Sequence, residues 1–175
     1  MKSILLALFI LILGQTAVAA EHKHHGAHVH GSANLNIAFD DLKGKLNFKS
    51  ASMGIVGFEH RAVSKKDIKK LDDSVAKFEN EIGAMIQFES ALGCKFTKEK
   101  IAMVSDDDGD KKNAAEHSDF VAEFSIGCQK PITGSKVVFD FSNFKSLTDI
   151  DVVFLIGDLQ KTVEINKKPV TLEIK

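Results

Sequence analysis

One stretch of this chain is patterned in threes and fours, and most of the rest in twos. After Ser64-Lys65-Lys66-Asp67, a cap-like serine followed three positions on by an acid, the apolar side chains Ile68, Leu71, Val75, Phe78, Ile82, Met85, Phe88 and Leu92 recur at helical steps up to Gly93. The spacing predicts one long amphipathic helix that ends at Gly93. After about three heptads the pattern stops, so a stripe covering a sheet is a better account than a coiled coil. Alternating runs supply that sheet. Leu35, Ile37 and Phe39 alternate with polar neighbours across 33–40, and Leu46 and Phe48 do so across 45–50. Asp41-Leu42-Lys43-Gly44 reads as the turn of an antiparallel hairpin between them.

Residues 95–104 and 117–128 read as two further strands around a polar segment. In the second, Phe120, Ala122, Phe124, Ile126 and Cys128 fall on one face. Val137, Phe139 and Phe141 suggest another strand, running into a short helical or irregular turn at 144–148. Residues 150–156, 162–165 and 170–174 complete an antiparallel series. The expected fold is α+β: mainly antiparallel β-sheet with one long amphipathic helix packed on it.

The first twenty residues stand apart from this pattern. Lys2 precedes the apolar run at 4–13, and Ala17-Val18-Ala19 gives an A-x-A cleavage site, so 1–20 reads as a signal peptide. No later run reaches the roughly 18 apolar residues of a membrane span, so no span is expected once the signal is removed. What remains, ~155 residues, is enough for a single domain at 33–175, preceded by a histidine-rich segment at 21–32. Basic and acidic residues nearly balance, 23 against 24, with no basic stripe, which argues against nucleic acid. Thirteen Phe with no Trp or Tyr look like core filler, which weakens a carbohydrate-binding reading. Cys94 and Cys128 are an even pair in an exported chain and read as a disulfide. The alternative, two thiolate zinc ligands, normally shows a C-x-x-C spacing that is absent here.

The segment EHKHHGAHVHG carries five of the seven histidines, His22, His24, His25, His28 and His30, within nine positions. Imidazole is the commonest side-chain metal ligand, and such a cluster outside the cytoplasm points to zinc or copper; the competing reading is a solvated tail. Copper sequestration shares these ligands, since nitrogen donors favour copper unless geometry or availability intervenes. If strand geometry begins early, His28 and His30 point to one face. Glu59 and His60 sit side by side in GIVGFEH and form a second candidate, with His117 a weaker one beside the acidic loop. The run Asp106-Asp107-Asp108-Gly109-Asp110 fails as an EF-hand. With Gly109 at the sixth position, Val104 and Ala115 would occupy the first and twelfth, where carboxylates are needed. No H-E-x-x-H, G-x-S-x-G or phosphate-cradling loop is present, so an enzyme is not expected.

Taken together, H-G-A-H-V-H-G leading into A-N-L-N-I-A at 25–38, G-F-E-H at 57–60, the Cys94 and Cys128 pair, and a C-terminal F-x-x-F and L-I-G-D-L-Q-K-T-V pattern resemble the ZrgA-like family of periplasmic zinc-uptake accessory proteins. The resemblance implies a periplasmic zinc-binding protein that assists a zinc ABC importer and its solute-binding protein. It also implies His28, His30 and His60 as ligands. An expectation of a different class is an adaptor or structural domain that binds a partner protein, its histidines incidental.

Overall fold

The computed structural model describes residues 31–105 and 117–175. Residues 1–20, read above as a signal peptide, His22, His24, His25, His28, His30 and the acidic run at 106–110 lie outside the described residues.

Strands β1 (Ser32–Asp40) and β2 (Lys43–Ala51) form the expected hairpin, and Asp40 lies opposite Lys43. The connection is therefore two residues, Asp41 and Leu42, shorter than the tetrad read from sequence. Asp41 adopts φ 51°, a left-handed conformation that Asp tolerates better than most residues. A one-turn helix α1 (Ser52–Ile55) follows, then α2 (Lys65–Met85), β3 (Ile86–Phe88), β4 (Lys95–Ser105) and β5 (Ser118–Gly127). The chain closes with β6 (Lys136–Phe139), β7 (Asp149–Ile156), β8 (Leu159–Ile165) and β9 (Val170–Glu173). Six strands make one sheet in the order β4-β5-β2-β1-β7-β8, and three make a second in the order β3-β6-β9. The fold is thus α+β with mostly antiparallel sheets.

The period of two decides which face of the large sheet is buried. Leu35, Ile37 and Phe39 of β1, Leu46 and Phe48 of β2, Phe120, Phe124 and Ile126 of β5, and Ile150, Val152 and Phe154 of β7 all turn inward. On the opposite face Asn34, Asn36, Lys45, Asn47 and Lys49 are exposed. Helix α2 lies over the buried face: the Phe78 ring packs 4.8 Å from Phe48, 5.3 Å from Phe120 and 5.5 Å from Phe144. The small sheet covers the same side further along, with Phe88 of β3 edge-on to Phe39 at 5.6 Å. Cys94 and Cys128 are bonded.

Two expectations are corrected. The helix stops at Met85, not at Gly93, although apolar spacing continues through Phe88 and Leu92. Ile86 pairs with Phe139 and Phe88 with Val137, so the chain leaves the helix to join the small sheet. Steps of three and four fit either course locally; the ladder with β6 satisfies backbone groups and overrides the helical pattern. Gly93, at φ 61°, instead closes a separate single turn at Ser90–Leu92. The last strands are also not one antiparallel series. β7 runs parallel to β1, with Ala33 opposite Ile150 and Ile37 opposite Phe154, and β9 joins β6 in the small sheet.

Candidate metal centre

Several of the candidate ligands, or the chain ends that lead to them, gather at one end of the large sheet. Ala33 near the start of β1 lies opposite Ser50 near the end of β2, and Ser50 lies opposite Phe120 near the start of β5. The point from which the histidine segment joins the sheet, at Ser32, is therefore two strand spacings, roughly 10 Å, from the first residues of β5. His117 immediately precedes β5. Ser105 at the end of β4 lies opposite Ser118, so both described ends of the 106–116 segment emerge here too.

Glu59 and His60 reach the same place by a tight reversal after β2. Helix α1 ends with Val56 N–H donating to Ser52 O at 2.7 Å, and Gly57 at φ 81° turns the chain back, a conformation suited to glycine. The buried Phe58 ring then anchors the segment. Its backbone is tied to β5, because Ser118 Oγ donates to Glu59 O at 2.7 Å. The Glu59 side chain is tied as well: His117 Nδ1 lies 2.8 Å from Glu59 Oε2, with the carboxylate side chain only 10% exposed and the imidazole 50% exposed. Glu59 can only accept when ionised, so the bond fixes the neutral His117 as the Nδ1–H tautomer and puts its lone pair at Nε2. Sequence neighbours thus acquire different surroundings, Glu59 against His117 and His60 against Phe58 and Asp67.

His60 stacks on Phe58 with centroids 4.7 Å apart and planes at 27°, and its Nε2 lies 3.5 Å from Asp67 Oδ2. Asp67 is the acid of the Ser64 cap: its backbone N–H donates to Ser64 Oγ at 3.1 Å, and the hydroxyl donates back to Oδ2 at 2.6 Å. Donation from Ser64 first, and from the His60 ring next, holds the Asp67 carboxyl below the ordinary range against partial desolvation. Reading the sequence identified Asp67 as a cap but not as a partner of His60. A contact made across the 61–63 turn has no periodic signature.

The join between segment and sheet is itself constrained. Gly31 O accepts from Thr148 N at 2.8 Å and from Asp149 N at 3.2 Å, so the chain is pinned against the start of β7. Gly31 sits at φ 87°, and a Cβ there would lie 2.8 Å from Thr148 Oγ1 and 2.9 Å from Ser146 O. Gly31→Ala is expected to cost roughly 1–3 kcal/mol through strain. Its chemical-denaturation midpoint should fall accordingly, and an unchanged midpoint would show that the join is not held as described.

Zinc takes three or four donors in tetrahedral array. Among the described residues, no three His, Cys, Asp or Glu side chains are grouped so as to hold a metal ion. The described part therefore offers His60 and His117 as single imidazoles, each against a carboxylate, at the end of the sheet where residues 21–30 attach. Cys94 and Cys128 are consumed by their bond, which removes the thiolate alternative. No helix among the described residues is long and apolar enough to cross a membrane.

A search of curated protein sequences gives no match. The sequence model of the ZrgA family, described as a zinc uptake protein family, matches residues 27–174, which begins inside the histidine segment and takes in both cysteines, Glu59, His60 and His117. Spanning most of the chain, this match shows that the protein belongs to the ZrgA family of zinc uptake proteins.

Proposed function

We propose that the protein is a non-enzymatic periplasmic carrier that captures zinc with histidines at the β1 end of the large sheet and hands it to a zinc ABC importer through the importer's solute-binding protein. Zinc is the cargo. The observation that carries this reading is that the Glu59–His117 bond and the β1 start lie at the same end of the large sheet, which brings the attachment point of the histidine segment within two strand spacings, roughly 10 Å, of the start of β5, where His117 and Glu59 meet. In this reading His28, His30 and His60 hold the ion most tightly. His22, His24 and His25 add weaker, unstructured capacity, and His117, with Glu59 behind it, is the remaining donor. An ordered sheet next to the ligands reduces the entropy lost on closing the site, which a free tail would have to supply in full.

Zinc titration of the untagged mature chain tests the proposal. His28→Ala, His30→Ala and His60→Ala should each weaken the tightest site by more than the 10–100-fold typical of losing an outer-shell partner. The triple change of His22, His24 and His25 to Ala should lower stoichiometry and leave that site in place. Zinc takes neutral imidazole, which ordinarily titrates near pH 6.5. The affinity of a histidine site should therefore fall steeply between pH 7.5 and 5.5. A site made from Asp106, Asp107, Asp108 and Asp110 would be nearly flat over that window, because carboxylates stay ionised to about pH 4. A flat profile, or equal losses from the three single changes and the triple change, would sink the proposal. Competition with copper in the same titration separates zinc carriage from copper sequestration.

A further inference from the structure

We propose that Asp67 is a positioning residue for metal capture, holding His60 through Nε2 so that the ring presents Nδ1 to the ion. The inference rests on the reading of His60 as a ligand and specifies how that ligand is prepared.

The His60 ring is constrained in two directions. Its face lies on Phe58, which is buried and carries Lys70 Nζ 5.6 Å from its centroid. Its Nε2 points at Asp67 Oδ2, 3.5 Å away. Asp67 is in turn held by both exchanges with Ser64 and stands in the first turn of a 21-residue helix, so the carboxylate has little freedom to follow a wandering ring. Among the described residues no hydrogen bond engages His60 Nδ1, and the side chain is 57% exposed.

This arrangement matches the chemistry of a prepared imidazole ligand. A metal-bound histidine generally donates its second ring N–H to a carboxylate or carbonyl, which fixes the tautomer, orients the ring and makes the ligating nitrogen more basic. In the Nε2–H tautomer, which turns the proton toward Asp67 Oδ2 at 3.5 Å, the lone pair of the neutral ring is at Nδ1. The competing account is that Asp67 only caps α2 and pairs with protonated His60. In that case the carboxylate would stabilise the form of the ring that zinc must displace, and removing it would leave zinc affinity unchanged or raise it. Only the first account predicts a loss of affinity.

The test uses the untagged mature chain with zinc alone. Asp67→Asn keeps the backbone N–H that donates to Ser64 but removes the ionised acceptor, and is expected to weaken the tightest zinc site by about 10–100-fold, with Asp67→Glu recovering part of the loss. A purely structural role would lower the melting temperature of Asp67→Asn and leave the zinc Kd alone. Long-range proton–nitrogen spectra of the unsubstituted, zinc-loaded protein give an answer that does not depend on the variants folding: His60 should carry its proton on Nε2 and the metal on Nδ1. Zinc on Nε2 would overturn the inference, and so would an Asp67→Asn Kd within twofold of the parent while His60→Ala is impaired. If His60→Ala itself binds zinc normally, it is the ligand reading of the previous section that fails.

Discussion

Phe78→Ala should destabilise the domain by roughly 3–5 kcal/mol, the range for truncating a fully buried Phe. Phe78 has no exposed surface and touches rings from β2, β5 and the turn before β7, so no single neighbour can move in to fill the space. The loss combines transfer of the ring to water with a cavity at the centre of the contact between α2 and the large sheet. Urea unfolding should show a lower midpoint with an unchanged slope, which marks altered stability without altered exposure. Ile68→Ala, on the same helix at a position 45% exposed, is the comparison and should stay within about 0.5 kcal/mol of the parent. A Phe78 loss as small as that of Ile68 would mean that the helix is not seated on the sheet through this ring.

The contrast between Phe78 and Ile68 also shows how much of the molecule could be read before its structure was known. Features written in local spacing were legible. The hairpin of β1 and β2 follows from period two, the start of α2 follows from Ser64 and Asp67, and the inward face of β5 follows from Phe120 to Cys128. The disulfide was legible from the export-signal pattern of the first twenty residues and an even cysteine count. What failed was whatever depends on a distant partner. Ile86 and Phe88 satisfy helical spacing, and only their pairing with Phe139 and Val137 makes them a strand. The parallel alignment of Ala33 with Ile150 joins residues more than a hundred positions apart and leaves no trace in either run. The candidate site divides in the same way. Glu59, His60 and His117 stand out by residue type, while the bond of Glu59 to His117 and the approach of His60 to Asp67 arise from chain reversal and strand neighbours.

Reduction of the Cys94–Cys128 bond should cost up to about 4 kcal/mol and leave the proposed zinc binding intact. The bonded residues are 34 positions apart, and the chain-entropy relation for a loop of that size gives this figure. The folded corner has other ties: Cys128 N–H donates to Leu42 O at 2.9 Å and Gln129 N–H to Leu92 O at 2.8 Å, so the corner can persist when the sulfurs part. The main effect is therefore on the unfolded chain, which regains the freedom the bridge removed. Position decides the functional half of the prediction. Cys128 follows the last residue of β5 and His117 precedes its first, so the ten-residue strand puts the bridge roughly 30 Å from the candidate metal centre. Thermal unfolding with and without reductant, alongside zinc titration of both forms at a temperature where each is folded, measures the two effects separately. A lower melting temperature with unchanged zinc affinity is the expected result. A matching loss of affinity in folded, reduced protein would place the cysteines within the metal chemistry, and would contradict the assignment of the centre to the β1 end of the sheet.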